Sequence, residues 1–323
     1  MKVVIVGAGH AARAHARAWS RLAQAEVAGI VTRGESGKTL AAELGCLWSA
    51  DLSRILPRVD VVDVCVPTPG HAQYAVTAAK VGKHVICETP LAGSLADART
   101  IVEACAAANV RLLVGQLARF CPEYVKARQL VHEGEIGTPG VCRLVRVGAV
   151  PKGTEGWRGD ESRSGGCLVD WGILDFDWAR WTLGDVVRIQ AATASWDAGG
   201  DRKDYAIATL RHESGCISHV EVSWAHPNRR HAIDVSGRDG KIEFDSAWDG
   251  RPLSREGAGT GIALESPSEK SPWQREIEHF AACIRDDAAP VVTPEDAYEA
   301  LRIALAARDS AKTGAPVVLK GDR

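Results

Sequence analysis

The segment from Lys2 to Arg33 constrains this chain more than any other. It runs from an apolar stretch (Val3–Val6) through a glycine turn and a helical stretch to a second apolar run (Val27–Val31). The turn is Gly7-x-Gly9-x-x-Ala12. In that order each small residue has a mechanical task. Gly7 permits the tight turn, Gly9 lets the backbone approach a pyrophosphate, and Ala12 keeps the helix close to the strand. The helix that starts at His10 and Ala11 then turns its free N–H groups toward the phosphates. Alone, such a pattern is common. Six residues into a chain, between a strand and a helix, it is read as a dinucleotide-binding turn. A strand-to-helix turn with no ligand is the plainer alternative.

The second apolar run bears on which dinucleotide is bound. NAD binders usually close this strand with Asp or Glu, which accepts from the ribose 2′-hydroxyl. Here the strand closes with Thr32 and Arg33, and Glu26 lies at its other end. The missing acid removes repulsion toward a 2′-phosphate, and Arg33 offers a planar charged fork, with Ser36 and Lys38 in the same loop. NADP is therefore expected over NAD. The stretch GESGKT imitates the end of a P-loop, but the required first glycine is Thr32, so triphosphate binding is rejected.

The chain has 323 residues, enough for two domains. It is 46% hydrophobic and 25% charged, an ordinary globular balance, and its formal net charge of −2 argues against a nucleic-acid partner. No apolar stretch is long enough for a membrane span, and the N-terminus enters a strand directly, which reads as no signal peptide. Nine cysteines without a CxxC pair suggest reduced thiols and a cytoplasmic setting. No His/Cys/Asp/Glu group has metal-ligand spacing, so no metal is expected.

Through residue 120, strands (Val3–Val6, Val27–Val31, Val61–Val66, His84–Cys87, Leu112–Gly115) alternate with helices (Ala11–Leu22, Lys38–Leu44, His71–Val81, Leu95–Ala107). That alternation predicts a doubly wound parallel sheet. From residue 121 to 323 a helix at Glu123–Glu133 precedes strand-like runs at Val141–Val147, Val186–Ser195, Tyr205–Leu210, Ile217–Ser223, His231–Ser236 and Lys241–Phe244. Several follow one another without a helix between them, which predicts an α/β domain with an open, mostly antiparallel sheet. Helices at Trp273–Ile284 and from Thr293 to Lys312 close the chain.

Four segments, in order, resemble the glucose–fructose oxidoreductase and inositol dehydrogenase (Gfo/Idh/MocA) family. They are VGAGHAARAH, VCVPTPGHAQYAVTAAKVGKHVICETPLA, LARFCPEYVKARQLVHEGEIGTPG and WRGDESRSGGCLVDWGILDFDWARWTLG. The resemblance covers nearly the whole chain. It implies a Rossmann domain followed by an open-sheet domain for substrate binding and oligomerisation. It also implies hydride transfer between NAD(P) and a carbinol carbon of a sugar, cyclitol or similar small molecule, and dimers or tetramers assembled through the open sheet. Pro67, Thr68 and His71 match the family's loop near the nicotinamide half. Glu88 and Pro90 match the outer residues of its Glu-Lys-Pro motif, but the lysine position is Thr89. Asp170, Gly172 and Asp177 match Asp-x-Gly-x-His-x-x-Asp, but the histidine position is Leu174.

Both usual proton-handling positions are thus replaced. Threonine does not ionise near neutral pH, and leucine carries no proton. Asp170 becomes the first candidate for proton transfer, with Thr89 as a hydrogen-bonding or relaying group. Positions 170, 174 and 177 would share one face of a helix. Asp177 reads as structural, and Asp175 as a solvated or interface charge. Arg119, Trp157, Arg158 and Leu174 are expected to line a substrate site, with Arg163 a weaker candidate. Trp171, Trp178 and Trp181 read as core, and His226 as an exposed loop residue. Two further readings stay open: a reductase of imines or conjugated systems, and a noncatalytic NADP-binding sensor.

Overall fold

The fold was obtained as a computed structural model, which describes residues 1–149, 156–198, 201–247, 253–257, 260–264 and 270–319. The strands are β1 (Lys2–Val6), β2 (Glu26–Val31), β3 (Leu47–Ser49), β4 (Val61–Val64), β5 (His84–Glu88), β6 (Leu112–Gly115), β7 (Pro139–Ala149), β8 (Val186–Ala198), β9 (Asp201–His212), β10 (Ile217–Ser223), β11 (Ala225–Gly237), β12 (Gly240–Asp245), β13 (Leu253–Gly257), β14 (Thr260–Leu264) and β15 (Val317–Val318). The helices are α1 (His10–Trp19), α2 (Glu35–Leu44), α3 (His71–Lys80), α4 (Leu95–Ala107), α5 (Pro122–His132), α6 (Glu161–Ser164), α7 (Gly166–Asp170), α8 (Gly172–Leu183), α9 (Pro272–Arg285) and α10 (Pro294–Thr313).

The chain divides into two compact units. One holds Met1–Leu117 with Lys270–Tyr298, the other Ala118–Glu269 with Glu299–Arg323. The boundary near residue 117 lies close to the expected 120. The return of Lys270–Tyr298 to the first unit has no counterpart in a single cut.

The first unit carries a six-stranded sheet in the order β3-β2-β1-β4-β5-β6, with every pairing parallel. Val3, Val4 and Ile5 of β1 are fully buried, because a parallel sheet covered on both faces lets neither side of a strand reach water. Helix α1 buries Ala12, His15, Ala16 and Trp19, spaced three and four apart, and α9 packs against it. The Ser94 hydroxyl caps α4 by accepting the Asp97 amide at 3.1 Å. Strand β3 escaped the sequence reading because it has three residues and leaves Leu47 and Trp48 exposed.

The second unit carries a nine-stranded sheet in the order β14-β13-β12-β11-β7-β10-β9-β8-β15. Only β7 and β10 pair in parallel. Helix α8 packs on β7 and β10, and α7 on β9. One expectation is corrected here. The helix expected through 170, 174 and 177 is interrupted at Trp171 (φ −109°, ψ −40°), so Asp170 closes α7 while Leu174 and Asp177 belong to α8. Gly172, a weak helix former, follows the break.

Candidate functional site

The glycine turn has the geometry its spacing requires. Gly7 sits at φ +126°, and a Cβ there would collide with the carbonyl oxygen of Cys65, so only glycine fits. Gly9, the N-cap of α1, is the opposite case: a Cβ on it would meet nothing within 4 Å. No protein atom requires glycine at 9, and the clear approach it leaves suits a pyrophosphate. Gly9, having no side chain, brings no side-chain cap to the start of α1. Ala12 is fully buried.

At the end of β2, Thr32 donates its hydroxyl to the Gly34 carbonyl (3.2 Å) and accepts from the Trp48 indole (3.4 Å). Arg33, Ser36 and Lys38 are exposed. Lys38 bonds Glu35 at 2.8 Å and lies 5.1 Å from the Trp48 ring centre. Arg13 of α1 donates to the Ser36 carbonyl at 3.4 Å. The sequence reading used neither Arg13 nor Glu35. Arg13 was legible only as a position on the outer face of α1. Glu35 places an acid one turn beyond the position where NAD binders carry theirs.

Next along the sheet come Pro67, Thr68 and His71. Thr68 is buried, and His71 opens α3. The two ring nitrogens of His71 lie 2.9 Å from the carbonyl oxygens of Pro90 and Val66. Burial pushes its pKa down. His71 therefore joins the loop after β4 to the Glu88-Thr89-Pro90 loop. In that second loop the Thr89 amide donates to Glu88 Oε2 at 3.3 Å, and the Thr89 hydroxyl is buried without a hydrogen-bond partner.

Beneath this loop lies a cluster that residue spacing did not reveal. His15 Nδ1 is 2.9 Å from Asp63 Oδ2, and His15 Nε2 is 2.9 Å from Glu88 Oε1 and 3.7 Å from Glu276 Oε2. Among the described residues, two groups have polar atoms that all lie within 4.8 Å of one another: His15, Asp63 and Cys65, and His15, Glu88 and Glu276. Four strands of sequence meet there, which no local spacing could show. The one available signal was a polar residue at a core position: Asp63 inside the apolar run Val61–Val66, and His15 on the buried face of α1.

In the second unit, Arg158 Nε donates to Asp170 Oδ2 at 2.7 Å, and its guanidinium lies 4.9 Å from the Trp157 ring centre. Trp157, Arg158 and Asp170 are thus brought together. The pairing favours the ionised form of a carboxylate. Arg119 has a different neighbour. Its Nε and Nη2 each donate to Asp177 at 2.7 Å, both side chains are buried, and the guanidinium stacks 4.8 Å from the centre of the Trp181 ring. Leu174 is half-buried on α8, Trp171 and Trp178 are core, and Arg163 and His226 are exposed.

Asp175 corrects a sequence expectation: it is fully buried, not solvated. Arg146 Nε and Nη2 bond its two oxygens at 2.7 and 2.8 Å, and the Tyr124 hydroxyl donates at 3.4 Å. Helix periodicity placed it away from Asp170, but α8 is covered on more than one side. Burial of this group pushes the Tyr124 hydroxyl well above its ordinary range.

Comparison with known proteins agrees with this geometry. Residues 1–116 match the family described as an oxidoreductase family with an NAD-binding Rossmann fold, and residues 124–243 match the GFO/IDH/MocA C-terminal domain. The chain is 31% identical to a scyllo-inositol 2-dehydrogenase (NAD(+)) of Bacillus subtilis, covering 87% of this chain and 84% of that protein. It is 29% identical to a D-apiose dehydrogenase of Paraburkholderia graminis, over 99% and 90% of the two chains. A solved structure of a probable dehydrogenase from Thermotoga maritima superposes with a TM-score of 0.84 at 26% identity, covering 99% of each chain. Among the described residues no helix is long and apolar enough to cross a membrane.

Proposed function

Because this chain belongs to the Gfo/Idh/MocA family of NAD(P)-dependent oxidoreductases, we propose that it transfers hydride between NADP(H) and a hydroxyl or carbonyl carbon of a sugar-like small molecule, without the family's lysine and histidine. The observation that carries the reading is the pair Gly7 and Gly9: one glycine demanded by the backbone, the other by open space at an uncapped helix start. When bound, the nicotinamide supplies or accepts the hydride. The first-turn amides of α1 hold the pyrophosphate, and Pro67, Thr68, Glu88 and Thr89 contribute to the nicotinamide side. Trp157, Arg158 and Asp170 bind substrate. Asp170, paired with Arg158, accepts the hydroxyl proton on oxidation, and the Thr89 hydroxyl is a hydrogen-bonding group toward substrate oxygen. Nine free cysteines, seven of them buried, suit a reducing cytoplasm.

The preference for NADP rests on exposed Arg33 with Thr32 in the place of an acid, and on Arg13, Ser36 and Lys38 beside them. NADPH should bind more tightly than NADH in fluorescence titrations. Arg33→Ala should cost about 1–3 kcal/mol in NADPH binding and little in NADH binding, since the lost bonds are charge-assisted. Glu35→Gln should widen the preference by removing a nearby negative charge. Equal affinities for the two cofactors in the native protein would refute the assignment. Turnover of any sugar or cyclitol separates an enzyme from a sensor.

The open sheet supports assembly as a homo-oligomer, dimer or tetramer. On β9, Ala206, Ala208 and Leu210 are buried, while Ile207 between them is 43% exposed, and Trp196 on β8 is 48% exposed. A second copy of the chain is the proposed cover for these apolar groups. Ile207→Asp should shift the protein to monomers in sedimentation; an unchanged oligomer, or a native monomer, would count against this surface.

A further inference from the structure

We propose that His15, Glu88 and Glu276 form a buried proton-holding node that positions the Glu88-Thr89-Pro90 loop of the cofactor-binding unit. The argument begins at Asp63. Its carboxylate accepts the Trp19 indole N–H at 2.9 Å and the Cys65 thiol at 3.3 Å, and faces His15 Nδ1 with both oxygens at 2.9 and 3.0 Å. An ionised carboxylate only accepts, so Nδ1 carries a proton to it. That leaves Nε2 as a lone pair unless His15 is an imidazolium.

Nε2 faces only oxygens that are acceptors when ionised. Glu88 Oε1 is 2.9 Å away and Glu276 Oε2 is 3.7 Å away. Glu88 Oε1, His15 Nε2 and both oxygens of Glu276 are buried and lack a well-aligned hydrogen bond. A lone pair against carboxylates in a dry site is repulsive, and three carboxylates would outnumber one imidazolium. The trio must therefore hold at least one proton, on His15 or on a glutamic acid. The same conclusion follows from each group's surroundings. Burial opposes charge on His15, but Asp63 and Cys65 outweigh it and raise the imidazole well above its ordinary pKa. Burial, then Glu88, pushes Glu276 well up, against the pull of His15.

The groups that act most strongly on His15 and Glu276, apart from each other, are Asp63, Cys65 and Glu88. Around the node stand Asp63 and Cys65 at the end of β4, Cys87 beside Glu88 on β5, His71 of α3, and Gln274 with Trp273 on α9. Burial raises both thiols, which favours their neutral forms, and lowers His71, whose two ring nitrogens face the Pro90 and Val66 carbonyls. Glu88 links the node to the loop, because its other oxygen accepts the Thr89 amide. Gly115 leaves room for it: a Cβ there would lie 3.3 Å from Glu88 Oε1. Loss of the proton sets Glu88 against Glu276 and displaces the loop.

The sign follows from linkage. Both groups have raised pKa values in the folded protein, so the native state holds more protons than the unfolded one. Their stabilising contribution is complete at low pH. It is lost upward from the ordinary carboxylate range for Glu276 and from the ordinary imidazole range for His15.

The consequence for cofactor affinity rests on nicotinamide binding by this unit; the protonation state does not. Histidine-ring 15N spectra of the full chain, with His15 assigned by its loss in His15→Gln, should show both ring nitrogens still protonated above the pH at which an ordinary imidazole loses its proton. NADPH affinity of the native protein should fall on the alkaline side, by up to about tenfold per pH unit once the proton leaves. Glu276→Gln, which cannot ionise, should flatten that slope, and its melting temperature should fall less with rising pH. A singly protonated His15 together with carboxyl 13C shifts that show Glu88 and Glu276 both ionised at the same pH, or identical pH slopes for native and Glu276→Gln protein, would overturn the node. So would an equivalent of divalent metal removed by chelation, which would make the trio a metal site. Failure to bind NADPH or NADH at any pH, with His15 doubly protonated, would remove the cofactor reading and leave the node standing.

Discussion

Asp177→Asn is expected to destabilise the second unit by about 3–5 kcal/mol, the usual effect of removing one partner from a buried ion pair. Asp177 and Arg119 are each 1% exposed, and two 2.7 Å bonds join them. Asparagine keeps the shape but removes the charge, so the guanidinium is left in a site that water does not reach. The Trp181 ring compensates only in part. Replacing both partners with apolar residues, Arg119→Met with Asp177→Leu, should cost much less than the single change, because no charge is then stranded. With two compact units, the measurement must follow the transition of the second one rather than assume a single step. A single variant within about 1 kcal/mol of the native protein would show that the pair is not structural and would return Arg119 to the substrate-binding candidates.

Asp170→Asn should lower turnover by roughly 10²–10⁴, the contribution of a positioned acid or base. The substrate would be whichever one a panel of sugars and cyclitols reveals. Asparagine can hydrogen-bond but cannot take a proton, so the variant separates proton transfer from positioning. Folding should suffer little, because Arg158 is 21% exposed and water can replace part of the lost pairing. Cofactor affinity should hold, since the nucleotide turn belongs to the other unit. A variant that retains most of its rate would eliminate Asp170 as the base.

Local signals carried the fold well. The order of strand, glycine turn, helix and strand placed β1, α1 and β2, and the apolar runs placed β4, β5 and β6 within a residue or two. The pattern of elements changes after Pro122, and the first unit's N-terminal part ends at Leu117. What failed were elements whose reason is not local. Strand β3 has three residues and forms by pairing with β2. The break at Trp171 lies inside a segment whose composition reads as one helix. Lys270–Tyr298 packs with the first unit although almost the whole second sheet separates them in sequence.

The sequence by itself determined the Rossmann architecture, because a glycine at a forbidden φ between a strand and a helix leaves its mark on residue identity. It also determined that Thr89 and Leu174 stand where the resemblance implies a lysine and a histidine, since both can be read directly. Only the tertiary structure decided what the charged residues do. Arg119, Arg146 and Arg158 look alike as residues, yet each is given a different carboxylate: Asp177, Asp175 and Asp170. His15, Asp63, Glu88 and Glu276 are ordinary polar residues until α1, β4, β5 and α9 bring them together in the interior. The reason is physical: backbone conformation is set by each residue and its nearest neighbours, whereas the energy of a charge depends on its partners and on the dielectric around it, and both are created only when distant segments pack.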